Sequence, residues 1–241
     1  WTYGIKGHEF RLLGDDPIPV GQHLKIEVLG TRYEVDLPLA GGFQASNALA
    51  ALGLVVATGG DPARAVAALA TMSGAPGRLQ LVARHHVGAA VYVDYAHKPE
   101  ALETVLRALR PFARGRLVVV FGCGGDRDRG KRPVMGEIAT RLADRAIVTD
   151  DNPRNEDPAA VRAEIVRGIP ADRTNWIEIG EGRRQAITAG MAELHSAGDL
   201  LLIAGKGHET GQTIAGVTYP FDDAEVALDL AGRTASRAAR T

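Results

Sequence analysis

Two patterns of hydrophobic and polar positions follow one another along the chain. In the first, apolar and polar residues alternate over 24–29 and again over 31–37, which predicts a β-hairpin with one buried face. An alanine- and leucine-rich stretch over 47–58 predicts a buried helix. An Asp-Pro pair opens a second predicted helix over 61–69, because aspartate caps a helix and proline suits its first turn.

The second pattern consists of apolar runs that alternate with helical stretches. The predicted strands cover 89–94, 117–121, 146–150, 176–179 and 200–204. The predicted helices cover 99–109, 134–142, 158–167, 183–195 and 223–230. Continuous Val, Ile and Leu runs indicate strands that are covered on both faces. We therefore predict an α/β fold with a doubly wound, mostly parallel sheet. The change of pattern sets the expected domains at 1–84 and 85–241, and the polar tail from Arg233 to Thr241 is expected to fray.

Composition narrows the class of protein. Of 241 residues, 45% are hydrophobic and 24% are charged, which is ordinary for a soluble globular protein. A net charge of -1 gives no bulk attraction to nucleic acid or to an anionic membrane. No apolar run approaches the ~18 to 20 residues of a membrane span, and the single cysteine, Cys123, suits a reducing compartment. We expect a cytoplasmic monomer without nucleic-acid or membrane partners.

Chemistry-bearing residues follow four of the five predicted parallel strands. These loops cover Asp94–Pro99, Gly122–Pro133, Asp150–Arg154 and Gly205–Glu209. Ligands of open parallel sheets bind beyond the carboxyl ends of the strands, so the four loops are expected to converge on one edge. Their glycines, charges and histidines predict a site for a small acidic or zwitterionic ligand.

Two of these loops indicate which chemistry the ligand carries. The glycines over 122–125 could form only a tight turn, but three arginines and a lysine over 126–132 favour an anion-binding loop. The residues over 150–153 could form an Asx turn that ends at a proline. Arg154 is not needed for such a turn, and an acid beside a base suits a zwitterionic amino acid.

Other features are ambiguous or missing. His97 and His208 could each be structural histidines, and Cys123 is expected to be a packed residue, because no triad surrounds it. The sequence contains no G-x-x-x-x-G-K-[ST] phosphate loop, no G-x-G-x-x-G motif opening a βαβ unit, no cysteine pair for zinc and no H-E-x-x-H. No metal ligand and no catalytic nucleophile is therefore assigned.

Several motifs, in this order and spacing, resemble those of the Mur ligase family. They are DYAHKPEAL (94–102), GCGGDRDRGKRP (122–133), TDDNPR (149–154) and AGKGHE (204–209), with GGFQASNALAA (41–51) and GRLQ (77–80) before them. The similarity covers essentially the whole chain. It implies a carboxyl-terminal amino-acid-binding domain over 85–241, preceded by the end of the family's central ATPase domain over 1–84.

The resemblance is to the branch that adds the third peptide residue of the peptidoglycan precursor. Its diaminopimelate-specific members carry the motif DNPR, here residues 151–154, and lysine-adding relatives depart from it at the arginine. Arg154 therefore points to meso-diaminopimelate, whose extra carboxylate an arginine can bind with two hydrogen bonds. The resemblance implies that Glu209 pairs with an amino group of this amino acid. The implied diaminopimelate-binding residues are Arg127, Asp151, Asn152, Pro153, Arg154, Gly205 and Glu209.

The resemblance also implies ATP and Mg²⁺ as cofactors. ATP would phosphorylate the D-glutamate carboxylate of the UDP-MurNAc-dipeptide, and the diaminopimelate amine would attack the acyl phosphate. Such a reaction depends on alignment and charge stabilisation more than on a protein nucleophile. The residues implied to meet ATP are Asn47, Arg78, Asp94, Tyr95 and His97.

The sequence departs from the family pattern upstream of these motifs. The family's uridine-nucleotide-binding domain, phosphate loop and carbamylated lysine, which helps to hold magnesium, precede the point where this chain begins. We therefore expect the chain to keep the amino-acid pocket and half of a nucleotide cleft, and not to catalyse alone. Two alternatives stay open: a non-catalytic amino-acid or anion-binding module, and a folate-polyglutamate-type ligase on the same fold, which would be expected to lack DNPR.

Overall fold

The computed structural model describes residues 1–238. They fall into two compact units, Trp1–Gly74 and a second that begins at Ala75. The first unit is a small sheet with helices. Its strands are β1 (Tyr3–Gly4), β2 (Phe10–Pro17), β3 (Gln22–Val28) and β4 (Thr31–Leu37), in the order β1-β2-β3-β4. Its helices are α1 (Gly42–Ala57) and α2 (Pro62–Ala68), followed by a 3-10 turn (Leu69–Thr71).

The predicted hairpin of the first unit is confirmed. Strands β3 and β4 pair antiparallel through a turn at Leu29 and Gly30, which have φ angles of 49° and 83°. Alternation along β3 buries Leu24 and Ile26 in a core with α1 and α2. The helix predicted over 47–58 begins earlier, at Gly42, and the Asp61 side chain accepts a hydrogen bond from the Arg64 amide as the expected cap.

The second unit is built around a six-stranded sheet. Its strands are β5 (Gln80–Arg84), β6 (Ala90–Asp94), β7 (Leu117–Phe121), β8 (Arg145–Val148), β9 (Trp176–Glu178) and β10 (Leu200–Ala204). The order is β5-β6-β10-β7-β8-β9, and only β5 runs antiparallel to its neighbour. The predicted mostly parallel α/β sheet is thus confirmed. Strand β10 comes last among the parallel strands along the chain, but in the sheet it lies between β6 and β7, which come first.

Helices cover this sheet in two groups. The first group is α3 (Pro99–Leu109), α4 (Lys131–Leu142) and α5 (Pro158–Val166), which pack side by side. The second is α6 (Arg183–Ala192) and α7 (Asp223–Ala238), which also contact each other. In the core, Val91, Val118 and Leu201 of three neighbouring strands pack with Ile187 of α6 and Ala227 of α7. Apolar burial of this kind stabilises the unit and fixes where the strands end.

Three elements differ from the sequence prediction. The second unit begins at Ala75, ten residues before the expected boundary, because β5 pairs with β6 as an edge strand of the same sheet. A hairpin of β11 (Gly211–Ile214) and β12 (Val217–Pro220) follows β10 and was not predicted. Helix α7 continues through Ala238 where fraying was expected from Arg233, and residues 239–241 lie outside the described residues.

Candidate functional site

Four adjacent strands of the large sheet, β6, β10, β7 and β8, end at one edge, and the loops that follow them enclose a cavity of about 850 Å³. The predicted convergence of the loops is explained by this strand order, because parallel neighbours present their carboxyl ends together. The cavity is lined by Tyr95, His97, Lys98, Pro99, Glu100, Gly124, Arg127, Asp128, Gly130, Lys131, Val134, Asp151, Asn152, Arg154, Gly205 and Glu209.

The DNPR turn (residues 151–154) is fixed by the unpredicted hairpin. The Arg154 amide donates to the Thr213 carbonyl at 3.0 Å, and the Ala215 amide donates to the Arg154 carbonyl at 2.6 Å. The Thr213 amide donates to Oδ1 of Asn152 at 3.0 Å, and Nε2 of Gln212 donates to the Asp151 carbonyl at 2.6 Å. The turn therefore gains a neighbouring strand, which holds its side chains at the cavity.

Arg154 presents a free guanidinium edge to the cavity. Its φ angle is 53°, in the left-handed region that side chains seldom adopt, so the turn is held against a local preference. Its Nη1 donates to the Gly125 carbonyl at 2.8 Å. A Cβ on Gly124 would lie 2.7 Å from the same Nη1, so glycine makes room for the guanidinium. Among the described residues no hydrogen bond uses Nε or Nη2, which together can grip a carboxylate.

Glu209, which lines the same cavity as this arginine, is oriented by two donors. Its Oε2 accepts from Nδ2 of Asn152 at 2.9 Å and from Nζ of Lys206 at 3.2 Å. Nζ of Lys206 also donates to Oδ1 of Asn152 at 3.2 Å, and Lys206 is fully buried. No hydrogen bond from the described part of the chain reaches Oε1 of Glu209, which can accept from a ligand ammonium.

Asp151 brings a second carboxylate to the same wall. Its side chain is buried, its Oδ1 has no hydrogen-bond partner among the described residues, and Nζ of Lys206 lies 3.9 Å from it. Burial raises the pKa of the Asp151 carboxyl above its ordinary value, and the charges of Arg183 and Lys206 oppose that rise. A buried carboxylate short of donors is well placed to bind a cation.

Glycines let the backbones of neighbouring loops approach the DNPR turn. The Gly125 amide donates to the Asn152 carbonyl at 2.9 Å. A Cβ on Gly125 would lie 1.9 Å from the Pro153 carbonyl oxygen, so no larger residue fits there. Pro153 is buried and does not line the cavity, whereas Gly205, with a φ of 122°, does.

The remaining predicted amino-acid ligand, Arg127, lies on the exposed rim. Its Nη1 donates to the Asp126 carbonyl at 3.0 Å, and the side chain lines the cavity. Asp126 has a φ of 52°, and its backbone is held by its amide, which donates to Oε1 of Glu156 at 2.6 Å. Six of the seven predicted diaminopimelate residues thus meet in one cavity, although their binding role stays a prediction.

A buried arginine anchors the loop that carries Arg127. Arg132 is fully buried, and Nη1 and Nη2 donate to Oε2 and Oε1 of Glu156 at 3.0 and 2.8 Å, while Nη1 also donates to Glu164 at 2.8 Å. The Arg132 hydrogen bonds lower the pKa of Glu156 to about 2. Arg132 was predicted to belong to an anion-binding loop, but its guanidinium is bound by these two glutamates.

The residues implied to meet ATP are partly separated from one another. Tyr95 and His97 line the same cavity as the amino-acid residues, with their ring centroids 4.5 Å apart. The Arg78 guanidinium lies 4.7 Å over the Tyr95 ring. Asp94 and Arg78 do not line the cavity. Asn47 lies on α1 of the first unit, where Nδ2 donates to Oε1 of Gln44.

Asp94 has a structural task at the end of β6. Its two carboxylate oxygens accept from the Leu79 and Ala96 amides, each at 2.7 Å. Burial raises the pKa of Asp94, and these two hydrogen bonds oppose the rise. Asp94 thereby ties residues 77–80 to the loop that carries Tyr95 and His97.

Sequence reasoning missed three residues that position the site. Lys206 belongs to the AGKGHE motif but had no predicted role. Gln212 and Arg183 had no predicted role either. Arg183 is buried and donates to the carbonyl of Ala204, the last residue of β10, at 3.0 Å and to that of Asp150, just after β8, at 3.3 Å. A charged residue predicted at a helix start gives no sign in the sequence that it will be buried.

Two further structural features concern metal binding and membranes. Within the described residues, no group of three or more His, Cys, Asp or Glu side chains is arranged to hold a metal ion. None of the helices in the part of the chain that the structure describes is long and apolar enough to cross a membrane.

Comparison with known proteins adds a family. A sequence profile described as "Mur ligase, glutamate ligase domain" matches residues 77–207. A UDP-N-acetylmuramoyl-L-alanyl-D-glutamate--2,6-diaminopimelate ligase from Caulobacter vibrioides is 56% identical over 223 residues, which are 92% of this chain and 45% of that protein. The chain therefore spans about half the length of the curated relatives it matches.

Solved structures give the same picture. A structure of a UDP-N-acetylmuramoyl-L-alanyl-D-glutamate--2,6-diaminopimelate ligase aligns with a TM-score of 0.74 and 38% identity, covering 100% of this chain and 48% of that one. Mycobacterium tuberculosis folylpolyglutamate synthase, in complex with ADP and AMPPCP, aligns with a TM-score of 0.60 and 27% identity. That match covers 82% of this chain and 45% of the other.

Proposed function

Because this chain belongs to the Mur ligase family, we propose that it is the amino-acid-binding part of an ATP-dependent, amide-forming ligase. The ligase adds meso-diaminopimelate to the peptidoglycan precursor UDP-MurNAc-dipeptide. ATP transfers its terminal phosphoryl group to the D-glutamate carboxylate. The diaminopimelate amine then attacks the acyl phosphate, so that the amide forms, phosphate leaves and the amine loses a proton.

One observation supports this proposal most directly: Arg154 and Glu209 line the same cavity. Arg154 offers Nε and Nη2 to a carboxylate, and Glu209 offers Oε1 to an ammonium. Hydrogen bonds to neighbouring residues fix the orientation of both side chains, which favours a ligand with a fixed spacing of charges. An amino-acid centre carries these two charges on one carbon.

The extra centre of diaminopimelate explains why an arginine is needed. L-Lysine ends in an ammonium alone, whereas diaminopimelate ends in an ammonium and a carboxylate. Lysine would leave the Arg154 edge without its partner, so it should bind more weakly. The names of the two diaminopimelate-ligase relatives described above agree with diaminopimelate as the substrate. The DNPR motif argues against the alternative, a folate-polyglutamate-type ligase, which would be expected to lack it.

ATP, Mg²⁺ and the surroundings complete the proposal. We assign ATP contacts to Tyr95 and His97, which line the cavity, and to Arg78 and Asp94, which lie outside its lining. Asn47 of the first unit is proposed separately as a nucleotide contact. ATP supplies the phosphoryl group that activates the acceptor carboxylate. No Mg²⁺ ligand is assigned to this chain. We further propose a monomer in the cytoplasm, in keeping with the lone buried cysteine, Cys123.

Calorimetric titration of this chain with meso-diaminopimelate, L-lysine, L-glutamate and ATP tests the proposal. Diaminopimelate should bind more tightly than L-lysine or L-glutamate. Equal binding of diaminopimelate and L-lysine would refute the assigned substrate, and preferential binding of L-glutamate would favour the folylpolyglutamate type instead.

The same titration of Arg154→Ala identifies the residue responsible. Removing a charge-assisted arginine contact should weaken diaminopimelate binding by about 1.5 to 3 kcal/mol and leave L-lysine binding nearly unchanged. Arg107→Ala is the matched control, because Arg107 is exposed on α3 and forms its ion pair with Glu103 of the same helix. It should leave all four titrations as they are in the parent chain.

A further inference from the structure

We infer that Lys206 is a specificity-determining residue of the amino-acid pocket, which sets the pocket's charge so that it prefers a side chain ending in both an ammonium and a carboxylate. This inference rests on the proposed function. It assigns Lys206 a positioning role, through Glu209 and Asn152, rather than a direct contact with the reacting atoms.

Burial is the first sign that Lys206 has such a task. Its side chain is fully buried, although lysine is among the residues least often found inside a protein without a partner. Its ammonium lies among three polar groups of the site, at 3.2 Å from Asn152 Oδ1, 3.2 Å from Glu209 Oε2 and 3.9 Å from Asp151 Oδ1. A buried charge is retained where its partners require it.

These hydrogen bonds determine which atom of Glu209 meets the ligand. Lys206 and Asn152 both donate to Oε2, so Oε1 is the oxygen that remains for an incoming ammonium. Nζ of Lys206 also donates to Asn152 Oδ1, so that the Asn152 amide nitrogen faces Glu209. One ammonium position is thereby defined at this end of the cavity.

The charges of these groups determine what else the ligand should carry. Glu209 contributes one negative charge, and Asp151 contributes a second in its ionised form, which the charges of Arg183 and Lys206 favour. Arg154 and Lys206 contribute two positive charges. Two further buried cations, Arg183 and Arg132, are neutralised by ion pairs with Asp223 and with Glu156 and Glu164. The pocket end is therefore neutral, and a zwitterionic centre enters without leaving an uncompensated charge. A bare ammonium, as in L-lysine, leaves one positive charge in excess.

The test compares selectivity, defined as the dissociation constant of L-lysine divided by that of meso-diaminopimelate. Lys206→Gln keeps a hydrogen-bonding group but removes the positive charge, so the selectivity should fall about tenfold or more. Glu209→Gln removes a negative charge from the same contact and should raise the selectivity, although both ligands bind more weakly. The double variant Lys206→Gln/Glu209→Gln is neutral again and should return the selectivity toward that of the parent chain.

A merely structural lysine would not produce this reversal of sign and recovery. Lys25→Gln, at an exposed position on strand β3 of the first unit, is the matched control and should change neither constant. Circular dichroism checks that each variant folds. If Lys206→Gln does not fold, Glu209→Gln decides: a raised selectivity supports the inference, and an unchanged one overturns it.

The outcomes also separate the inference from the proposed function. If the parent chain does not prefer diaminopimelate, the proposed substrate fails. If the parent chain prefers it and folded Lys206→Gln keeps the same selectivity, only the assignment of Lys206 fails.

Discussion

Arg183 and Asp223 form a fully buried, two-pronged ion pair between the first residues of α6 and α7. Nε and Nη2 of Arg183 donate to Oδ1 and Oδ2 of Asp223 at 2.8 and 2.7 Å. The same guanidinium donates to the Ala204 and Asp150 carbonyls, at the ends of strands β10 and β8. One side chain therefore joins two helix starts to the two strand ends that carry the GKGHE and DNPR motifs.

This geometry predicts that Asp223→Asn destabilises the chain and weakens diaminopimelate binding. The change leaves the Arg183 charge buried without its counter-ion, which should lower the free energy of unfolding by about 3 to 5 kcal/mol. Urea denaturation followed by circular dichroism measures the loss. The double variant Arg183→Met/Asp223→Leu removes both charges and should recover part of the stability but not the binding. Equal stability of Asp223→Asn and the parent chain would contradict the assigned role.

A second prediction concerns the close approach of the glycine–arginine loop to the DNPR turn. Gly125→Ala places a methyl group 1.9 Å from the Pro153 carbonyl oxygen, so one of the two backbones must move. We expect diaminopimelate affinity to fall at least as far as in Arg154→Ala, since Arg154 loses its anchor at the Gly125 carbonyl. Calorimetry measures this, with a thermal unfolding curve to separate local from global disruption.

Gly53→Ala is the control for that experiment. Gly53 lies within α1, and its added Cβ would lie 3.5 Å from the Phe10 ring, an ordinary contact. Because alanine favours helix more than glycine by about 1 kcal/mol, this variant should unfold at a slightly higher temperature and bind diaminopimelate unchanged. If Gly125→Ala behaved like Gly53→Ala, the two loops would not need their tight contact.

The elements that frame the site could be predicted because their cause is local. Continuous apolar runs such as Leu117–Phe121 and Leu200–Ala204 indicate strands covered on both faces, and the structure confirms both strands. Ligands of parallel sheets bind beyond the carboxyl ends of the strands, and this rule predicted that Asp151, Arg154 and Glu209 lie at one site. The prediction needed no knowledge of strand order. Periodicity and topology were sufficient for this much.

The parts that were missed depend on distant partners. The place of β10 between β6 and β7 follows from packing across the sheet, which no local pattern records. Edge strand β5 is only half buried, so its pattern is weak. Arg132, Arg183 and Lys206 are charged residues whose burial is possible only because acids from elsewhere in the fold meet them.

The third prediction concerns the stability of the protein at low pH. Arg132 lowers the pKa of Glu156 from its ordinary value of about 4.5 to about 2. Since the folded state depresses this pKa, the ion pair contributes stability above the unfolded value and loses it as pH falls through the folded value. The unfolding temperature should therefore drop between about pH 4.5 and pH 2. In Glu156→Gln the protein should be less stable at pH 7 and the drop shallower.

Thermal unfolding over pH 2 to 7 measures both profiles. Glu181→Gln is a suitable control, because Glu181 is exposed and changes to the same residue. Its profile should follow that of the parent chain. Parallel profiles for Glu156→Gln and the parent chain would show that the Arg132–Glu156 pair does not determine acid stability.

The last prediction concerns Gln212, which connects the β11–β12 hairpin to the DNPR turn. Its buried Nε2 donates to the Asp151 carbonyl at 2.6 Å, while the adjacent Thr213 pairs with Asn152 and Arg154. Gln212→Leu fills most of the same space with an apolar side chain but leaves that carbonyl without its donor. This should cost about 1 to 3 kcal/mol of folding free energy. Diaminopimelate binding should weaken as well, because the turn that orients Asp151 and Arg154 loses a fixed point. Urea denaturation and calorimetry measure the two effects.

Thr218→Val, which removes only an exposed hydroxyl contact on the far strand of the hairpin, is the control and should bind normally. Normal binding by a folded Gln212→Leu would show that the backbone pairing of Thr213 alone holds the turn.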